Sequence, residues 1–470
     1  MPADMSLIRL TAVEAVAKLK AGEVSPLDLI DAAAARIAEV EPAVNALPTL
    51  CLDRARDRAA AAGRDSLLAG LPLAIKDLTA VEGVRTTHGS PIFKDHVPAH
   101  SDAVVRRLED NGGLVIAKSN TPEFGAGANT FNEVFGATRN PWDTRMSAAG
   151  SSGGAAVALA TGTVWLAHGS DTGGSLRTPA AFNGVVGLRP SPGRVVRGPR
   201  GLPFATLPVD GPMGRTVADT ALMLDAMVGL DAEDPLAMEA PEYSFLAAVR
   251  QARPPRRVAW SRDLGITVTD PEVAAICEAA ARRFEEMGAV VEEAAPDLHD
   301  VHDIFQVQRA AHFAAAFMTH LEQRREMLKP EMVWNVEKGL KLTAAEIGRA
   351  ELARAALVRR AFKFMQGYDL LVCPTAIVPP YPVEERYVAR VGDHAFETYI
   401  DWIAITYAVT VTALPAVSIP AGLTAGGLPV GLQIVGQPRG EAGLLAAASL
   451  LEQALGNARA TPIDPVLRHR

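Results

Sequence analysis

Three short stretches carry residues that ordinary packing does not call for. GSDTGGSLRTP (169–179) sets Ser175 directly behind two glycines, with Asp171 and Arg177 on either side. A core strand could not hold those polar groups unpaired. AGSSGG (149–154) places two serines ahead of AAVALATG, a good helix former. Backbone N–H groups of residues 151–154 are therefore expected to point outward at a helix N-terminus, a place for an anion or oxyanion. In GLPLAIKD (70–77) Lys76 closes an apolar, strand-like run. Burial disfavours an ammonium, so a lysine held there is driven toward its neutral form and becomes a general base. Together the pieces could support attack by a serine oxygen. The turn at 171–174 would let the backbone approach a ligand, and its successive N–H groups could form an oxyanion hole. Taken singly, each piece has a plainer reading. The glycine clusters would be tight turns with Ser151 and Ser152 as helix caps, and Lys76 would pair with Asp77.

These residues need elements to hold them. From residue 71 onward, short apolar runs (71–75, 113–118, 164–170 and 185–188) alternate with Gly and Pro punctuation and with helical segments such as 103–111, an α/β signature. Upstream, 10–20 and 26–40 carry apolar residues at helical spacing, with Ser25 as an N-cap and Gly22 between them. Segment 300–365 is rich in Ala, Glu, Arg and Leu and predicts long amphipathic helices, arranged as a cap over the site. Strand-like runs return at 368–375, 414–422 and 428–436, which brings the C-terminal part back to the first sheet. The expectation is one α/β domain over 1–470. Its parts are an N-terminal helical layer (1–65), a core carrying the three motifs (66–230), further α/β elements (231–299), the helical insert (300–365) and the C-terminal return (366–470).

Composition narrows the function classes. The 470 residues include 46 Lys+Arg against 54 Asp+Glu, a net charge of −8, with no basic run of the kind that tracks phosphates. Nucleic acid is excluded as an expected partner. Hydrophobic residues make up 49%, but the longest weakly polar run, 153–167, is too short to span a bilayer. No membrane partner is expected. Cys51, Cys277 and Cys373 show neither disulfide nor zinc spacing and read as buried thiols; no metal or other cofactor is expected. The N-terminus lacks a basic stretch followed by an apolar region, so the expected location is the cytoplasm.

In this order, GLPLAIKD, AGSSGG and GSDTGGSLRTPA resemble the amidase signature family of serine hydrolases. The resemblance extends to GEVSPLDLIDAAAARI (22–37), SNTPEFGAGANTFNEVFGATRNPWD (119–143), GLRPSPGRV (187–195), DLLVCPT and LPAVSIPAG. Ser151 and Ser175 stand 24 residues apart, as in the family. The resemblance implies a large, mostly parallel or mixed twisted sheet flanked by helices on both faces. It makes Ser175 the nucleophile, Ser151 a bridging serine usually held by a cis peptide, and Lys76 the base, with no histidine required. It maps the oxyanion hole onto the N–H groups of Thr172, Gly173, Gly174 and Ser175, and leaves Asp171, Arg177 and Ser152 as structural supports. Ala149 departs from the glycine more usual there.

The activity so implied is hydrolysis of a small carboxamide through an acyl-enzyme, with water as co-substrate and a homodimer as an open option. Free-standing bacterial amidases are the nearer resemblance. The alternatives are the glutaminase subunit of a tRNA-dependent amidotransferase, an ester or carbamate hydrolase on the same site, and, ranked low, a scaffold without chemistry. GSSGG (150–154) also satisfies G-x-S-x-G and would nominate Ser152. The loop before it is the wrong context, and His302, His312, His320, His88 and His168 make poor triad partners. GAGANT (125–130) lacks the third glycine of a dinucleotide fingerprint. Phe305, Phe313, Phe317, Met318 and Trp334 are candidate pocket lining from the insert, and Ile403 and Tyr407 from the C-terminal segment.

Overall fold

The computed structural model describes residues 4–198, 201–457 and 459–468. Eleven strands form one sheet. In chain order they are β1 (Thr49–Leu50), β2 (Pro72–Lys76), β3 (Leu114–Ser119), β4 (Leu166–Asp171), β5 (Val186–Arg189), β6 (Val209–Gly214), β7 (Arg257–Trp260), β8 (Val290–Glu293), β9 (Leu370–Pro374), β10 (Ala416–Leu423) and β11 (Pro429–Val435). They lie side by side as β1-β3-β2-β4-β6-β5-β10-β11-β9-β7-β8. Every apolar run singled out in the sequence falls on one of them.

The sheet is mixed rather than mostly parallel. β3-β2-β4 and β9-β7-β8 are parallel flanks. Between them the pairs β4-β6-β5-β10-β11-β9 are all antiparallel. Hairpin geometry accounts for part of this: β10 and β11 are joined by a short turn closed by Thr424 and Leu428, which permits only antiparallel pairing. β6 (VDGPMG) gives no strand signal, because glycine and proline both weaken one.

The N-terminal helices are Ala12–Ala21 and Pro26–Val44. The second starts at a reciprocal Ser25/Asp28 capping box with proline at its first position, and Gly22 in left-handed backbone (φ 71°) ends the first. The insert resolves into three helices, Val301–Arg324, Pro330–Leu340 and Ala344–Met365. Pro330 opens the second, and a Thr343/Glu346 capping box opens the third. A Cβ on Gly339 would lie 2.0 Å from the Ala310 carbonyl oxygen, so glycine is what lets the first two helices close on one another.

Cys277 and Cys373 are buried, as expected, while Cys51 is half-buried. Among the described residues, no helix is long and apolar enough to cross a membrane. No group of three or more His, Cys, Asp or Glu there is placed to hold a metal ion.

Candidate active site

β2 and β4 run parallel, with Leu73 opposite Leu166 and Ala74 opposite Ala167. Lys76 is the last residue of β2 and Asp171 the last of β4, so both motifs leave the sheet at the same carboxyl edge. Lys76 is fully buried there. Its Nζ donates to Ser151 Oγ at 2.7 Å, Ser152 Oγ at 2.8 Å and Ser170 Oγ at 3.1 Å. Asp77 is not its partner. Successive strand side chains alternate faces, and the Asp77 carboxylate accepts from Thr87 and lies 3.5 Å from Lys118 Nζ. Ser170 carries no sequence signal, since a serine inside a strand reads as filler.

The Gly150–Ser151 peptide bond is cis, and Ala149 just before it has φ 54°. Ala149 therefore takes left-handed backbone, the conformation glycine adopts most freely, which gives the family's usual residue there a physical meaning. Ser152 N–H donates to the Ser175 carbonyl at 3.2 Å, tying the two serine clusters together.

Of the four N–H groups expected to form an anion site at the start of the Gly153–Thr161 helix, those of Ser152, Gly153 and Gly154 are spent inside the protein. Beside the Ser152 bond, Gly153 N–H donates to Thr130 Oγ1 and Gly154 N–H to the Asn120 carbonyl, both at 3.2 Å. Nor does the Ser152 hydroxyl cap the helix. It faces Lys76, and Ser152 does not line the cavity where Ser175 lies.

Four backbone donors are expected for an oxyanion hole, and one of them is corrected. Gly174 N–H donates to Asp171 Oδ1 at 2.8 Å and is therefore committed. Among the described residues, the N–H groups of Thr172, Gly173 and Ser175 meet no acceptor within the protein. Gly174 is still required, for its backbone: φ is 123°, and a Cβ would lie 2.3 Å from Thr406 Oγ1.

Asp171 organises the turn. Arg177 Nε and Nη2 donate to its two carboxylate oxygens at 3.0 and 2.9 Å, Arg189 Nη1 to its Oδ1 at 3.3 Å, and Leu176 N–H to its Oδ2 at 3.2 Å. Burial alone would raise this carboxyl, but the two guanidiniums outweigh burial and hold it well below the usual carboxylate range. Burial in turn brings Arg189 down to about 9, so it stays charged at neutral pH. Arg177 also donates to the Thr406 carbonyl, Thr410 Oγ1 and Gln433 Oε1. All three charged groups are buried.

A cavity of about 150 Å³ opens over this edge, lined by Ser151, Ser170, Ser175 and the glycine turn. Of the candidates named from the sequence, Phe305, Phe313, Phe317 and Ile403 line it. Tyr407 stands one layer behind, stacked on Phe305 with ring centroids 4.1 Å apart. Met318 is exposed and Trp334 packs on Tyr399, so neither lines the cavity. Helical spacing could not separate lining from packing. Arg197, Arg309 and Tyr399 line the cavity without having been singled out.

The histidines are accounted for locally. His302 Nδ1 accepts from the Tyr407 hydroxyl at 2.5 Å, and its Nε2 faces the Ile266 carbonyl at 3.0 Å. His320 stacks on Phe124, as does His88, and His168 lies 3.5 Å from Asp210. Of the described histidines only His312 reaches the cavity, where burial first, then Arg197 and Arg309, push it down to about 4.

A family model for amidases matches residues 28–445. An acylamidase of Rhodococcus erythropolis is 36% identical, with 99% of each chain covered. The glutamyl-tRNA(Gln) amidotransferase A chain of a Synechococcus strain is 35% identical over 93% of this chain and 94% of the relative. Among solved structures, a bacterial aryl acylamidase of the amidase signature family superposes with TM-score 0.89 at 27% identity, covering 97% of this chain and 99% of the other. The chain belongs to the amidase family and is a hydrolase of amide C–N bonds.

Proposed function

We propose that the protein is a free-standing amidase that cleaves small carboxamides through a Ser175–Ser151–Lys76 relay and an acyl-enzyme. The observation that carries this reading is Lys76 Nζ set 2.7 Å from Ser151 Oγ, at the floor of a cavity that Ser175 also lines. Neutral Lys76 takes the proton of Ser151 as Ser151 takes that of Ser175. The Ser175 oxygen bonds to the amide carbon, and the carbonyl electron pair moves onto oxygen. That oxyanion is held by the N–H groups of Thr172, Gly173 and Ser175, already aimed by the Asp171–Arg177–Arg189 cluster. The relay then runs backward: the amine leaves with a proton from Ser151, and water releases the acyl group by the same steps. Ser152 and Ser170 position Lys76, and the helices of 300–365 form a cap over the cavity.

With a p-nitroanilide substrate, Ser175→Ala is expected to lower kcat by at least about 10⁴-fold, and Ser152→Ala to lower it less. The reverse order would sink the assignment. Activity rises with pH as Lys76 loses its proton, and a flat profile or an active Lys76→Arg enzyme would overturn the relay.

The Synechococcus relative keeps a second reading in view, glutaminase action within an amidotransferase. A panel of p-nitroanilides, simple carboxamides, glutamine and carbamates separates the readings. Ammonia released from glutamine and passed to a partner would favour the second.

A further inference from the structure

One wall of the cavity is left unused by the hydrolytic step. The Val301–Arg324 helix brings Phe305 to the glycine turn, its Cζ 3.2 Å from where a Cβ on Gly173 would lie. Arg309 lines the cavity four residues further along the same helix, a rise of about 6 Å.

Arg309 is 7% exposed. Its guanidinium donates to the Asn335 side-chain oxygen and the Tyr399 hydroxyl, both neutral, and lies 4.3 Å from the Phe313 ring centroid. No carboxylate among the described residues pairs with it. The acids on neighbouring segments are engaged elsewhere: Glu331 with Arg386, and Asp401 with Gln306 and Thr398. Arg197, the other guanidinium in the wall, is matched by Asp210 at 3.2 Å. Burial holds Lys329 and Lys338 below the ordinary lysine range against the pull of Glu331 and Glu123 on the first and of Asp401 on the second, and Arg309 adds to the fall in both.

A buried guanidinium with only neutral acceptors is stabilised by an anion that arrives with the ligand, and carboxylate matches its fork. We propose that the preferred substrate is an amide carrying a carboxylate about one helical turn from the scissile carbonyl, and that Arg309 selects it. The inference rests on the amide-hydrolase reading and narrows its substrate class.

The test is two matched pairs assayed on the full chain. The mono-p-nitroanilide of glutaric acid against its methyl ester places the carboxylate on the acyl side. N-butyryl-4-aminobenzoate against N-butyryl-4-aminobenzamide places it on the amine side. In one pair the anionic member is expected to have a kcat/KM at least about tenfold higher, mostly through KM. That ratio falls to near one in Arg309→Met and is partly kept in Arg309→Lys. Release without discrimination in either pair, or a preference intact in Arg309→Met, overturns the inference alone. Release from none of the four would overturn the hydrolase reading and the inference with it. Should Arg309→Met not fold, the wild-type ratios and Arg309→Lys decide.

Discussion

Asp171 serves two guanidiniums and two backbone N–H groups, so removing its charge is costly in a way its neighbours cannot relieve. Asp171→Asn keeps an oxygen for the Gly174 N–H but leaves Arg177 and Arg189 buried without a counter-charge. Denaturant unfolding is expected to register a loss of about 3–5 kcal/mol, and a loss under about 1 kcal/mol would contradict this account. At this scale, residue type carried much of the information. Lys76, Ser151 and Ser175 stand out because a buried lysine and serines behind glycines need special handling. Ser170 does not stand out, and no pattern reveals that Gly174 N–H is already engaged. That depends on where the Asp171 carboxylate points, a matter of side-chain geometry.

Elements decide what surrounds the serine. The 301–324 helix supplies the phenylalanines and Arg309, and its seat against Pro330–Leu340 requires the missing side chain of Gly339. Gly339→Ala would press a methyl into the Ala310 carbonyl. A cost of about 1–3 kcal/mol should appear as a lowered Tm, with a changed KM as Arg309 shifts. An unchanged melt would mean the helices can part freely. Most strands were legible, because β2, β3, β4, β5, β9, β10 and β11 are apolar runs bounded by glycine or proline. β6 hides behind its own glycines and Pro212. The Ala404–Thr412 helix (AITYAVTVT) is rich in β-branched residues and is helical through burial rather than propensity. It nonetheless holds Thr406 and Thr410, which Arg177 needs.

At the scale of the whole molecule, some buried carboxyls weigh against alkaline stability. Glu452 accepts the Val217 N–H at 2.9 Å, and burial pushes it up to about 8 from an ordinary 4.5, with Asp219 nearby adding to the rise. Between those values the folded chain holds a proton that the unfolded chain has released. Stability therefore falls as pH climbs through that window. Glu452→Gln keeps the acceptor and removes the titration. Its Tm should exceed the wild type by a few degrees at pH 8 and match it near pH 4.5; parallel curves would refute the assignment. One further consequence lies in the reach of Arg177, whose partner Gln433 is 256 positions away. Residues 171–177 leave the ribosome long before the segment that steadies them. A half-made chain can form the bonds of Asp171 to Arg177 and Arg189 but still lacks those of Arg177 to Thr406, Thr410 and Gln433. The last ties on that turn are therefore added only once residues 406–433 have been made.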